Sequence, residues 1–151
     1  MILFERTNAD NPAFIALVKL LDADLAERDG DDHDFYHQFN SIQELKHTLV
    51  AYEDEVAIGC GAIKPFNSKA MEVKRMYVLP EYRGRAIATS LLSALENWAA
   101  ELGYCNCILE TGKRQPEALA LYRKNGYKTI PNYGQYSGVA NSVCFEKAVS
   151  F

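Results

Sequence analysis

The sequence predicts a mixed α/β (α+β) domain, and three observations lead there. Residues 71–79, MEVKRMYVL, alternate as a strand, and Pro80 stops it because proline has no N–H for a sheet ladder. Beyond a short basic loop, Ile87, Leu91, Leu92, Leu95, Trp98, Ala99 and Leu102 recur at helical spacing, and Gly103 supplies the stop. On either side of this strand–helix unit, further short strand-like runs alternate with three more helical stretches.

Taken in order, Ile2 to Arg6 reads as a strand. Asn8, Asp10 and Asn11 offer an N-cap and Pro12 suits the first turn of a helix running to about Glu27. Its apolar stripe is Phe14, Leu17, Leu21 and Leu25, with Val18 beside it. Arg28 to Asp34 is an acidic break, and Ser41 with Glu44 forms a capping box for a short helix. Thr48 to Tyr52 and Val56 to Lys64 form a hairpin around Glu53 to Glu55. After the central strand and helix, Cys105 to Thr111 is a compact strand. Pro116 opens a helix with Ala118, Leu119 and Tyr122 toward the core, and Gly126 ends it. Tyr127 to Ile130 and Ser142 to Val149 are strands separated by a loop. The chain carries no repeat, linker or low-complexity tract, so residues 1–151 are expected to be one domain.

With 151 residues the chain can bury one substantial core. A net charge of -4 argues against bulk nucleic-acid binding, although it leaves room for a local basic pocket. No apolar run is long enough to span a membrane, and the first ten residues lack the pattern of a secretory signal. A cytoplasmic location is the expectation. The four cysteines (Cys60, Cys105, Cys107, Cys144) and three scattered histidines have no metal-site spacing. They are read as buried, reduced thiols, with no metal expected.

Chemistry concentrates in three places. The order strand, basic turn, helix start at Arg83, Gly84, Arg85, Ala86, Ile87, Ala88 and Thr89 is a physical trap for phosphate. The first helical turn points unclaimed N–H groups outward, and the arginines add charge. It is neither a dinucleotide GxGxxG turn nor a GxxxxGK[ST] loop, since both patterns are absent. Glu72 and Glu110 each lie in or beside an otherwise apolar strand, as proton acceptors or as halves of structural ion pairs. By the period of two, Glu72, Lys74, Met76 and Val78 share a face, so Lys74 can pair with Glu72. Tyr122 by periodicity alone is a core aromatic.

Together these residues resemble the GNAT superfamily of acyl-CoA-dependent N-acetyltransferases. Val78 and Pro80 match the family's strand end, and Arg83, Ala86 and Ala88 match its Arg/Gln-x-x-Gly/Ala-x-Gly/Ala turn. The block LETGKRQPEALALYRKNGY, residues 109–127, matches the helix that carries the family's tyrosine, here Tyr122. The segments EVKRMYV, LETG and IPNYG are similar to those of a bacterial subgroup of acetyltransferase-like proteins. The resemblance implies a twisted, mostly antiparallel mixed sheet with helices on both faces. It also implies acetyl-CoA as cofactor, with the pantetheine arm along Met76, Tyr77 and Val78 and the pyrophosphate on residues 83–89. Tyr122 would be the general acid, and Glu72, ahead of Glu110, the base. A primary amine of a small molecule or peptide would be the acceptor, with Phe35, Tyr36, His37, Tyr133 and Tyr136 as an aromatic rim. The alternative is a CoA-binding sensor without turnover, and a homodimer is the base-rate expectation. Where the family often has glycine, this chain has Ala86 and Ala88. Alanine is the better helix former, but its methyl takes space that phosphate oxygens need.

Overall fold

In the computed structural model, which describes residues 1–29 and 45–149, seven strands and three helices follow the expected order. They are β1 (Ile2–Thr7), α1 (Pro12–Asp29), β2 (His47–Glu53), β3 (Val56–Pro65), β4 (Ala70–Val78), α2 (Ile87–Glu101), β5 (Asn106–Gly112), α3 (Pro116–Lys124), β6 (Lys128–Ile130) and β7 (Ser142–Ala148). The strand order is β1-β2-β3-β4-β5-β7-β6. Pairs β1–β2, β2–β3, β5–β7 and β6–β7 are antiparallel and β4–β5 is parallel, so the sheet is mixed and mostly antiparallel, with helices flanking it. The acidic break after Asp29 and the capping box at Ser41 and Glu44 lie outside the described residues. Packing divides the chain into two units, Met1–Lys64 with Val73–Leu95 and Pro65–Glu72 with Glu96–Phe151.

In the first unit, Asn11 caps α1, its Oδ1 accepting from the N–H groups of Ala13 and Phe14 at 2.9 and 3.1 Å. Phe14, Leu17, Val18 and Leu21 are buried against Val50, Cys60, Ala62 and Tyr77. The β2–β3 hairpin turns through Asp54 and Glu55 at φ 50° and 69°, the left-handed pair that matches strand twist. Leu91, Leu92 and Leu95 of α2 are fully buried on the opposite face of the sheet from α1. A Cβ on Gly59 would lie 3.1 Å from Leu91, and one on Gly61 2.8 Å from Leu95, so these glycines set how closely α2 approaches.

One residue interrupts β4. Arg75 has φ 60° inside the strand, a conformation that costs an L residue roughly 1–2 kcal/mol. Its guanidinium is bonded to Asp22 of α1, and its carbonyl accepts from the Cys60 thiol at 3.4 Å. Past it, Met76 and Val78 share the face that meets α2, as the period of two predicts for them, and Tyr77 faces α1.

In the second unit, β7 lies between β5 and β6, with Glu110 opposite Cys144 and Ile130 also opposite Cys144. The Tyr127 hydroxyl (3.0 Å) and the Lys147 ammonium (2.8 Å) both donate to the buried Glu96 carboxylate. Helix α3 buries only Tyr122, so Ala118 and Leu119 fall short of the core assigned to them. Leu102, expected on the α2 stripe, is 42% exposed because the helix ends at Glu101 and the chain leaves through Gly103 at φ 92°.

Cys105 is exposed, contrary to the reading of four buried thiols, because β5 begins one residue later. Burial pushes the thiols of Cys60 and Cys107 up to about 12 and that of Cys144 to about 11. Titration of the native protein with a disulfide reagent at pH 8 should therefore give one fast thiol, Cys105, and release the other three only in denaturant. A second fast thiol would contradict this packing.

Candidate active site

The basic turn lies in the first unit. Pro80–Tyr82 forms a single 3₁₀ turn, and Arg83 follows in extended conformation. Gly84 at φ 82° and Ala86 at φ 60° are both left-handed. Such a backbone curls its N–H groups into an anion-binding concavity. Ala86 is then the N-cap of α2, its carbonyl accepting from Ser90 N–H at 3.1 Å. Residues Ile87, Ala88 and Thr89 occupy the first turn, whose N–H groups have no acceptor within the helix. The backbone donors suit a diphosphate, and the side chains around them are small or point away, so the turn fits the pyrophosphate of CoA.

The two arginines of the turn bond to their own unit. Arg83 donates from Nε to the Val78 carbonyl at 2.9 Å and lies 5.5 Å over the Tyr77 ring. Arg85 forms a two-pronged pair with Glu53, whose carboxyl it holds below its ordinary value through that hydrogen bond. Ala86 lies before the helix, so its helix propensity is irrelevant. The glycine preference at this position reflects its positive φ.

The carboxylates lie in the second unit. Glu72 is registered against Ile108, and Glu110 is two residues further along the same strand, so both project from one face of β4–β5. Cys144, opposite Glu110, and Ser142 belong to that face as well. Glu72 is 7% exposed and accepts from the Tyr133 hydroxyl at 2.7 Å. Glu110 accepts from the Ser142 hydroxyl at 2.7 Å. Tyr133 packs edge-on against Phe66 (5.0 Å) and Tyr136 (5.8 Å). Burial first, then the Glu72 charge, raises the Tyr133 phenol far above its usual value. Burial, then Glu110 and Glu72, does the same for Tyr136.

Tyr122 lies on the other face, where its ring meets Phe145 at 6.1 Å and Tyr127 at 5.7 Å. Its position is fixed by the end of α3. Gly126 at φ 88° closes a Schellman motif in which Tyr127 N–H bonds Tyr122 O at 3.0 Å and Gly126 N–H bonds Arg123 O at 3.2 Å. The hydrophobic contact that accompanies this motif is the Tyr122–Tyr127 ring pair itself. Burial, with a smaller push from Glu110, raises the Tyr122 phenol, so it stays protonated at any physiological pH.

Of the residues named from sequence, Glu72, Glu110, Tyr133 and Tyr136 share one environment and Tyr122 stands across β5 and β7 from them. Phe35, Tyr36 and His37 lie outside the described residues. Met76 and Tyr77 are turned to opposite faces. Met76 Sδ lies 2.7 Å from a Cβ placed on Gly61, whereas Tyr77 joins the α1 core. Two partners were missed, Ser142 and Phe66. No local pattern marks either, because each depends on register and turn geometry rather than on its neighbours in sequence.

A model of the Acetyltransferase (GNAT) family matches residues 14–127. An IAA acetyltransferase of Azospirillum brasilense is 39% identical over 100 residues, covering 66% of this chain and 65% of that protein. This chain thus spans slightly under two thirds of that relative. A solved structure of a Klebsiella pneumoniae protein assigned as an acyl-CoA N-acyltransferase superposes with a TM-score of 0.83 at 30% identity, covering 99% of this chain and 98% of the other. A GNAT family acetyltransferase of Elizabethkingia anophelis, solved with acetyl-CoA bound, has the same fold, with a TM-score of 0.70 at 18% identity over 97% of each chain.

The strain at Ala86 is testable without any ligand. Ala86→Gly should raise stability by about 1 kcal/mol, because relief of the left-handed methyl exceeds the added entropy of the unfolded chain. Denaturant unfolding would show it as a higher midpoint at unchanged slope. An unchanged or lower midpoint would mean that the turn is not held left-handed in solution.

Proposed function

The chain belongs to the GNAT acetyltransferase family, and on that premise we propose that it transfers an acetyl group from acetyl-CoA to a primary amine of a small molecule or peptide. The observation that carries this reading is the left-handed pair Gly84 and Ala86 leading into the open first turn of α2. That geometry is suited to a diphosphate and serves no evident purpose in packing. Bound acetyl-CoA would supply the thioester.

The chain's own groups then account for the protons. As the amine nitrogen attacks the thioester carbonyl carbon, the carbon–sulfur bond breaks and sulfur leaves as a thiolate. Tyr122, kept neutral by its burial, gives its phenolic proton to that sulfur. The proton released by the amine nitrogen goes to Glu72, with Glu110 the second acceptor on the same face. Amide and free CoA thiol result, and exchange with solvent returns Tyr122 and the carboxylate to their starting states. The acceptor would be a small amine or a chain end, with Tyr133 and Tyr136 beside the carboxylates.

Tyr122→Phe keeps the ring contacts with Tyr127 and Phe145 and deletes the donor. Its turnover should fall about ten- to a thousand-fold in kcat and kcat/KM alike, with acetyl-CoA affinity and melting temperature nearly unchanged. Full activity would rule out the acid role. Glu72→Gln should likewise lower turnover and remove the acidic limb of the pH–rate profile while acetyl-CoA binding persists. Both are measured by CoA release with 2-phenylethylamine, putrescine and a glycyl tripeptide as acceptors. Tight CoA binding by the wild type with no turnover on any of the three would favour the sensor reading over the enzyme.

A further inference from the structure

We propose that Tyr133 is the positioning residue for Glu72, fixing the direction of the carboxylate that takes the amine proton; this rests on the reading of Glu72 as base. Three observations bear on it. The hydrogen bond is short, 2.7 Å, and joins residues 61 positions apart, so it is tertiary and not a local turn contact. Its direction is fixed, because the phenol remains protonated and only donates, and the carboxylate oxygen Oε2 only accepts. The donor itself is held on several sides. Phe66 and Tyr136 meet its ring edge-on, and its own carbonyl accepts from Tyr136 N–H at 2.9 Å. Asn132 beside it bonds the carbonyls of Val139 and Ser142 at 3.0 and 3.1 Å, tying down both ends of the loop.

A carboxylate on a strand has three rotatable bonds, and burial alone does not select among their rotamers. The Tyr133 hydroxyl selects one.

The test is a double-mutant cycle on Tyr133→Phe and Glu72→Gln, using CoA release with the same three acceptors. Tyr133→Phe should lower kcat about tenfold and leave the KM for acetyl-CoA unchanged. In the Glu72→Gln background the same substitution should change nothing. Melting temperatures separate a folding defect from this effect, and if Tyr133→Phe is unstable, Glu72→Asp, which draws the carboxylate back from the phenol, should lower kcat with the KM for acetyl-CoA unchanged. A wild-type kcat in Tyr133→Phe, with Glu72→Gln impaired, overturns the positioning role alone. An unimpaired Glu72→Gln, or a wild type silent on all three amines, overturns the underlying reading and this inference with it.

Discussion

Arg75 is the constraint on which β4 depends. A left-handed residue inside a strand is disfavoured, and the strand keeps it because both ends of the residue are tied down. The carbonyl takes the Cys60 thiol, and the guanidinium, its side chain 2% exposed, takes Asp22. Removing one partner would leave the other charge uncompensated, which costs roughly 3–5 kcal/mol for a buried pair. The interruption separates two tasks on one strand. Before it, β4 pairs with β5 and carries Glu72. After it, Tyr77 faces the α1 core while Met76 and Val78 face α2, and the strand delivers the chain to the basic turn.

Much of this was legible in the sequence. The hairpin around Glu53 to Glu55, the capped helix at Asn11, the stripe on α2 and the stops at Gly103 and Gly126 all have local causes, and local causes can be read one residue at a time. The same holds for the turn at Arg83 to Thr89, where residue types and order are the signal. Two features were not legible. Nothing in MEVKRMYVL marks Arg75 as left-handed, because the cause lies in Asp22 and Cys60, far away in sequence. Cys105 was assigned to β5 because it sits in an apolar run, yet the run starts one residue before the ladder does.

The carboxylates show the same division from the other side. Glu72 and Glu110 stood out as charges among apolar neighbours, which is a local signal. Their partners did not. A hydroxyl at Ser142 is opposite Gly112 in register and reaches Glu110 only because β7 runs antiparallel to β5. Tyr133 was noticed as an aromatic of a variable loop and assigned to the rim, but its hydroxyl is bonded to Glu72. Each acid accepts from a hydroxyl at 2.7 Å, from a loop for Glu72 and from a strand for Glu110. A strand donor is set by the sheet, whereas a loop donor can change with the loop.

The arginines of the turn bear on which of its groups would meet an anion. Arg83 bonds the Val78 carbonyl and stacks on Tyr77, and Arg85 pairs with Glu53. Both side chains thus brace the turn against β4 and the β2–β3 hairpin. What remains for an anion is the backbone curl at Gly84 and Ala86 and the first turn of α2. Backbone donors are indifferent to side-chain identity but sensitive to φ. Alanine can therefore stand at position 86, where its methyl strains the backbone without removing a donor. Under the proposed reading the arginines supply a favourable field and rigidity, whereas the affinity for a phosphate would follow from how well the left-handed pair is held.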